Sequence, residues 1–225
     1  MQITERLHRE SGRDYALRVI RDNIVSLDLL PGSQISENEL AAELGLSRTP
    51  VREALIELSR VRIVDIRPQK RGTVARIDCG LVEEAWFMRH ALECAVLVPA
   101  CENWSETDLR RLSENVKLQR FYLENDMLSR LMELDNDFHR TLFEIARKPQ
   151  SYEMIRTISI HLDRVRRLSL EAAEDLKIVD DHGAILKAVR DRNSEEARRL
   201  MTLHLDRCRV DAQVIRARYS QYFSE

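Results

Sequence analysis

This sequence has no long apolar run, little glycine beyond its first third and only four cysteines. No stretch approaches the roughly 18 consecutive apolar residues of a membrane-spanning helix, and the N-terminal residues are too charged for a signal peptide. These absences predict a soluble, cytoplasmic protein with no membrane partner. The cysteines show no CxxC spacing and predict no disulfide framework. Cys94 and Cys101 are seven residues apart, which predicts buried, reduced thiols on one helix face.

The glycines indicate where the chain changes character. Five of the six lie at or before Gly80, and only Gly183 follows. A chain of 225 residues can bury two cores. We therefore predict two domains, at residues 1–77 and 80–225, of which the second is all-α. Its helices are expected near 81–102, 105–124, 127–147, 151–171, 181–192 and 194–222. Ser105, Ser151 and Ser194 are the expected N-caps, Pro149 a breaker, and Pro99 should kink or end the first helix.

The segment from Pro31 to Val74 predicts a winged helix-turn-helix. Ser36 followed by Glu39 is typical of a capping box, so a short helix should run from about residue 37 to 44. Gly45 should end that helix. After a tight turn, Ser47 or Thr49 can cap a second helix that has Pro50 in its first turn.

This second helix separates apolar from polar positions. Its apolar residues recur at helical spacing, while Arg48, Thr49 and Arg52 lie elsewhere on the helix. Arginine can reach two acceptors of guanine in the major groove, and hydroxyls can hold phosphates. Runs at 63–66 and 73–77 flank a basic RPQKRG sequence and predict a hairpin. Between Ser47 and Arg76, eight basic residues face three acidic ones in a chain of net charge −2.

For any one of these residues, a merely solvated helix surface is an equally good interpretation. The ordered set favours DNA, because each part matches one docking geometry. The segment PGSQISENELAAELGLSRTPVREAL, with Gly72 and a first helix from about residue 14 to 27, resembles the DNA-binding domain of the GntR family of bacterial transcription regulators.

The GntR resemblance covers roughly residues 13–77 and implies particular DNA contacts. The base-contact positions are Arg48, Thr49 and Arg52. A phosphate contact is implied at Ser47, and a wing tip in the minor groove at Arg71 and Gly72, beside the basic Lys70. The chain departs from the family at two places. Val61 and Arg62 stand where relatives commonly have an acidic residue and glycine, which predicts a differently shaped turn, and Asn38 replaces a basic backbone contact of some relatives.

In the helical part, Asp135 and His139 are four residues apart and therefore share a helix face. His182 and His204 belong to two further helices, and His204 lies among apolar residues. One carboxylate and three imidazoles suit zinc, nickel or manganese, and metal sites are built inside helical bundles. On spacing alone, an ordinary i, i+4 contact is the more frequent explanation.

A second resemblance bears on this choice. Residues 80 to 218 resemble the FCD class of C-terminal domains, in which an Asp and three His bind a divalent ion inside an antiparallel helical bundle. All four residues occur here in the family's order. The resemblance also implies that Arg89, in an Arg-x-x-Leu-Glu pattern, faces a cavity beside the metal and binds a small organic acid effector. In the alternative, Arg89 pairs with Glu93 on its own helix.

The expected fold class is mostly α, with a winged helix-turn-helix and β-hairpin wing followed by the all-α antiparallel bundle. Three functions compete. The first is a homodimeric transcription regulator that binds a palindromic DNA operator under control of a carboxylate effector at the metal. The second is a regulator that senses the metal itself. The third, a metal-dependent hydrolase, is least favoured, because the sequence has no HExxH motif and no nucleophile elbow.

Overall fold

The computed structural model describes residues 1–66, 71–172 and 177–224, without the side chains of residues 129, 171 and 208–212. The N-terminal unit consists of α1 (Gly12–Val25), β1 (Gln34–Ile35), α2 (Glu37–Leu44), α3 (Arg48–Arg60), β2 (Val64–Asp65) and β3 (Gly72–Val74). The C-terminal bundle consists of α4 (Cys79–Asn103), α5 (Glu106–Glu124), α6 (Leu128–Ile145), α7 (Pro149–Ile158), α8 (Ile160–Ala172), α9 (Ile178–Arg190) and α10 (Ser194–Arg218), before a 3₁₀ turn, Ser220–Tyr222. The predicted fold class is confirmed.

Local sequence signals account for the N-terminal unit. The Ser36 side chain accepts a hydrogen bond from the Glu39 amide at the start of α2. Gly45 ends α2 with φ +64°, in the left-handed region that glycine adopts without strain. The sheet has the order β1-β3-β2 and is antiparallel. Strand β1, which pairs Gln34 with Thr73, was not predicted. The apolar faces of α1, α2 and α3 meet over this sheet in one core.

In the bundle, several predicted helix ends are wrong. The predicted N-cap Ser105 is confirmed, since its hydroxyl accepts from the Asp108 amide. The N-caps expected at Ser151 and Ser194 are instead Lys148 and Asn193. The predicted helix 151–171 is two helices that meet at Ser159. Helix α4 contains Pro99 and ends four residues later.

The two units are in direct contact. Ile160, at the start of α8, is buried in the core of the N-terminal unit. The Ile77 amide donates to the Tyr222 carbonyl (2.8 Å), and the Ser224 amide donates to the Ile77 carbonyl (2.9 Å). The connection between the units is thus paired with a segment near residue 223. Within the described residues, no helix is both long and apolar enough to cross a membrane.

Candidate DNA-reading surface and metal centre

Helix α3 presents one apolar and one polar face. Val51, Ala54, Leu55 and Leu58 recur at helical spacing and are at most 2% exposed, which fixes α3 against the core. The N-terminal end of this helix carries four exposed polar residues outside the apolar stripe: Ser47, Arg48, Thr49 and Arg52. Ser47 is the N-cap residue, but its side chain makes no capping hydrogen bond, which leaves its hydroxyl for another partner.

The predicted wing residue Arg71 and the recognition-helix residue Arg48 both contact acidic side chains of α2. An Arg71 nitrogen is 3.4 Å from a Glu39 oxygen, and an Arg48 nitrogen is 3.5 Å from a Glu37 oxygen. All four side chains are substantially exposed, so such pairs are weak and can exchange for phosphate. The predicted contact Lys70 lies outside the described residues.

Gly72 is the first residue of strand β3. A Cβ atom at this position would stand 3.1 Å from Cγ1 of Ile35. The glycine therefore allows β3 to approach β1 closely. This packing role would require a glycine here whether or not the residue also contacts DNA.

The turn after α3 takes the shape that glycine would favour, although the residue is Arg62. Its φ is +59°, in the left-handed region. The departure at Arg62 thus places a strained non-glycine residue in the turn before β2, where a left-handed conformation costs about 1–2 kcal/mol.

Four side chains from three helices converge in the bundle. Asp135 and His139 come from α6, His182 from α9 and His204 from α10, and each is at most 4% exposed. One potential ligand atom from each lies within 4.8 Å of all the others. His139 Nε2 is 3.3 Å from His204 Nε2, and His182 Nε2 is 3.6 Å from Asp135 Oδ1. The structure thus brings together the four residues that sequence analysis singled out.

Each imidazole of this cluster has an acceptor behind it, on its Nδ1 side. Nδ1 of His182 is 2.7 Å from Gln119 Oε1, whose own amide nitrogen donates to Asn115. Nδ1 of His139 is 2.6 Å from Glu93 Oε2, and Nδ1 of His204 is 3.5 Å from Asp181 Oδ2. The contact with Gln119 places the proton of His182 on Nδ1 and leaves its Nε2 as a lone-pair donor, while the Glu93 and Asp181 carboxylates lie on the Nδ1 side of His139 and His204 without a hydrogen bond of good geometry.

The pKa shifts of the cluster residues are those expected for metal ligands. Burial would raise the pKa of Asp135, but Arg166 and the three histidines outweigh it and hold that pKa well below its usual range. Burial, and then the neighbouring His204, lower the pKa of His182 well below its usual value. Burial likewise lowers the pKa of His204. An ionised Asp135 carboxylate beside the neutral imidazoles of His182 and His204 is the protonation state that metal ligands need.

Arg89 pairs with Glu93, as the alternative interpretation expected. Its Nε donates to Glu93 Oε1 at 2.6 Å, and both side chains are buried. Burial would raise the pKa of Glu93, but Arg89 and His139 hold it well below its usual range. Glu93 therefore connects Arg89 to the cluster through His139.

Sequence reasoning missed four polar residues around the cluster. Gln119 and Asn115 fall on the buried stripe of α5 with Leu109 and Leu112. The available signal was that these two amide side chains occupy positions of α5 that helical spacing predicts to be apolar and buried. For Asp181 the only signal was its position directly before His182 in the sequence, which is weaker. Arg166, which contacts the Asp135 carboxylate, could not be oriented before the helix break at Ser159 was known.

Comparison with known proteins identifies both parts. Residues 16–74 match the family described as "Bacterial regulatory proteins, gntR family", and residues 84–207 match "FCD domain". The "HTH-type transcriptional repressor RspR" of Escherichia coli (strain K12) is 33% identical over 209 residues, 92% of each chain. An "Uncharacterized HTH-type transcriptional regulator in unstable DNA locus" of Streptomyces ambofaciens is 34% identical over 218 residues, covering 96% of this chain and 91% of the relative.

A solved structure has the same fold. "E. coli McbR/YncC" superimposes with a TM-score of 0.81 at 22% identity and covers 93% of this chain and 99% of its own. The matches to the regulatory family, to the FCD domain and to relatives over nearly the whole length agree. The chain therefore belongs to the gntR family of bacterial regulatory proteins, with an FCD domain, a family of transcription regulators and not of enzymes.

Proposed function

We propose that this regulator binds its DNA operator as a homodimer in the cytoplasm, and that a small carboxylate effector, bound at a divalent metal ion, controls its DNA affinity. The observation that carries the proposal is the convergence of three imidazole Nε2 atoms and one carboxylate in the buried cluster. The hydrolase interpretation is not retained, because the family consists of regulators.

The four potential ligand atoms lie within 4.8 Å of one another, and their closest approaches are of the size found in metal sites. In a tetrahedral zinc site with bonds of about 2.0–2.1 Å, the ligand atoms are about 3.4 Å apart. The closest approaches here, 3.3 and 3.6 Å, are of that size. Asp135 Oδ1 and His182 Nε2 are buried and have no hydrogen-bond partner among the described residues. An ion would satisfy both atoms. Zinc, nickel and manganese all fit this mixed nitrogen and oxygen set.

A bound ion would supply open coordination positions for a carboxylate of the effector. Arg89 stays the predicted second contact for that acid. It is buried inside the bundle, and its charge acts on His204, so it lies within electrostatic reach of the cluster. To take an effector carboxylate, its guanidinium would share or exchange its contact with Glu93.

DNA recognition is assigned to the exposed face of α3 and to the wing. Arg48, Thr49 and Arg52 are proposed to meet base edges in the major groove, and Ser47 a phosphate. Lys70, Arg71 and Gly72 are proposed to form the part of the wing that reaches the minor groove. This assignment is supported by the exposure of Ser47, Arg48, Thr49, Arg52 and Arg71.

Burial of the cluster favours a second candidate, a regulator that senses the metal ion itself. With all four side chains at most 4% exposed, an ion fits the site more readily than an ion with an organic acid. The two candidates differ in one measurement. If the ion is the signal, metal alone changes operator affinity; otherwise metal-loaded protein responds only after a carboxylate is added.

The metal site is tested by a matched pair of substitutions on α6. Asp135→Asn removes a proposed ligand, while Asp137→Asn makes the same chemical change at a partly exposed position that pairs with Arg111. Calorimetry with Zn²⁺ should show at least a tenfold loss of affinity for Asp135→Asn, because a ligand is lost, and little change for Asp137→Asn. Equal affinities in the two variants would contradict the assignment.

The effector part is tested with His204→Ala. Carboxylate binding and its effect on operator affinity should both disappear, while DNA binding without effector persists in the folded variant. A full effector response in His204→Ala, or in chelated wild-type protein, would show that the metal is not part of the switch.

A further inference from the structure

Helix α8 contacts the metal-site cluster through Arg166. This side chain donates to the Asp135 carboxylate, to Asn136 Oδ1 at 3.0 Å and to Asp163 Oδ1 at 2.7 Å. Asp135 is one of the four proposed ligands, and Asp163 lies on α8 itself. The guanidinium is thus held between the cluster and its own helix.

The same helix contacts the N-terminal unit through Arg164 and His161. Arg164 is fully buried and donates to the Ala75 carbonyl at 2.6 Å and to His161 Nδ1 at 2.8 Å. The Asp78 amide also donates to His161 Nδ1, at 3.1 Å. Since both neighbours can only donate, Nδ1 carries no proton, and the Nε2 hydrogen points to the Arg62 carbonyl at 3.1 Å.

These contacts reach the N-terminal unit next to the two elements proposed to bind DNA. Arg62 lies in the turn directly after the recognition helix α3, and Ala75 directly follows the wing strand β3. Both carbonyls are backbone groups, so a displacement of α8 acts on the path of the main chain. Ile160, in the core of the N-terminal unit, ties the start of α8 to the same region.

The two sets of contacts lie on opposite sides of α8. Residues advance by about 100° each around an α-helix, so Arg164 and Arg166 are about 200° apart. His161 and Arg164, three residues apart, share the face toward the N-terminal unit. Asp163 and Arg166 share the face toward the cluster. A helix of 13 residues is stiff over this distance, so motion of one face moves the other.

We propose that α8 couples the metal-site cluster to the DNA-reading unit, with Arg166 as the side chain that receives the signal and Arg164 and His161 as the positioning residues that transmit it. The inference rests on the proposed function, because the signal is the ion at the cluster. A divalent ion at Asp135 places positive charge beside the Arg166 guanidinium and repels it. Because Arg166 is tied to Asp163, the repulsion acts on α8, and through it on the ends of α3 and β3.

The test uses full-length protein and Zn²⁺ alone as the probe. Amide hydrogen exchange is measured with and without Zn²⁺ over residues 58–66 and 71–78, which include the contacts at Arg62 and Ala75. In wild-type protein, Zn²⁺ should change exchange in both segments. In Arg164→Gln this Zn²⁺-dependent difference should be lost while Zn²⁺ affinity by calorimetry stays within about twofold of wild type.

Two further variants separate coupling from general loosening. Arg111→Gln removes the same charge from a surface ion pair and should keep the wild-type difference. Arg164→Lys can still donate to the Ala75 carbonyl and should restore part of it. A substitution that only loosens the junction would raise exchange equally with and without Zn²⁺, which leaves the difference intact and overturns the proposal.

The remaining outcomes also support or overturn the proposed coupling. His161→Asn, whose shorter amide replaces the Nε2 donor to the Arg62 carbonyl, is used in place of Arg164→Gln if the latter does not fold, and it should show the same loss. Zn²⁺ binding to wild-type protein without any exchange change in these segments overturns the coupling and leaves the metal site standing. Absence of Zn²⁺ binding to wild-type protein overturns the proposed function and this inference with it.

Discussion

At the scale of single residues, the same side-chain type serves very different ends in this protein. Arg52 is exposed on α3, Arg89 is buried against Glu93, and Arg164 is buried against a carbonyl and an imidazole. Burial lowers the pKa of Arg164 to about 10. Residue type alone therefore does not assign a role to an arginine; the partners do.

Arg52 is expected to read a base. Arg52→Ala should weaken binding to an operator selected by the wild-type protein by about 1–3 kcal/mol and relax base preference at one position of each half-site. Loss of Lys70 should instead weaken all sequences alike and reduce the salt dependence by about one ion. Titrations against selected and scrambled duplexes measure both. Arg60→Ala, an exposed arginine at the other end of α3, is the control. An unchanged affinity in Arg52→Ala would remove the assignment.

Replacing Arg62 by glycine should increase the stability of the protein. Arg62→Gly relieves the left-handed strain, and the added freedom of the unfolded chain offsets only part of that gain. We expect about 0.5–1 kcal/mol more stability in urea unfolding. Arg62→Ala removes the same side chain without relieving the backbone and serves as the control. If the alanine variant is as stable as the glycine variant, backbone strain is not the cause.

At the scale of elements, helix starts and stops that depend on local chemistry were predictable. Ser36, Gly45 and Ser105 act as their positions in the sequence indicate. The break at Ser159 was not predictable, because it depends on a tertiary contact: Ile160 enters the core of the other unit. Strand β1 has two residues, too few for a periodic pattern to show.

In the cluster, too, the features set by local sequence were predictable and those set by tertiary packing were not. Asp135 and His139 share a face by spacing, but the approach of His182 and His204 came from resemblance, since no local pattern relates α6 to α9 and α10. The acceptors behind the imidazoles depend on the packing of α4 and α5 against α6 and α9. Periodicity marks Gln119 as buried and does not say which residue it meets.

The junction at α8 should make stability depend on pH. Burial, and then the charge of Arg164, lower the pKa of His161 to about 4, and they outweigh the hydrogen bond to the Arg62 carbonyl and the charge of Asp78, which raise it. The folded state therefore holds this imidazole neutral, while the unfolded chain takes up a proton below about 6.5. Stability should fall as pH drops from about 6.5 to 4 and be unaffected by this group below that range. The shift corresponds to a loss on the order of 3 kcal/mol.

His161→Asn isolates this effect, because the amide oxygen can still accept from Asp78 and Arg164 but does not titrate. Urea unfolding at pH 7, 5.5 and 4.5 should show a smaller decline for this variant than for wild type. His8→Asn, at an exposed position, should follow wild type. Parallel declines in wild type and His161→Asn would show that this imidazole is not the titrating group.

At the scale of the whole molecule, one N-terminal unit covers only a few base pairs, so useful specificity requires two copies on an inverted repeat. Light scattering should give about 53 kDa, twice the 26.3 kDa chain, and footprinting should show two related half-sites. A 26.3 kDa particle both free and on DNA would contradict the homodimer.

The pairing of Ile77 with residues 222–224 also has a consequence in time. Ser224 follows Ile77 by 147 positions. At roughly 5–20 residues per second, a ribosome needs about 7–30 seconds to make that stretch. Domains fold as they emerge, so the residues of the N-terminal unit can pack together long before residues 222–224, which pair with Ile77, are made, and Ile160 joins this core when α8 emerges. A nascent chain thus passes through an interval in which its reading surface is finished but not yet under the bundle's restraint.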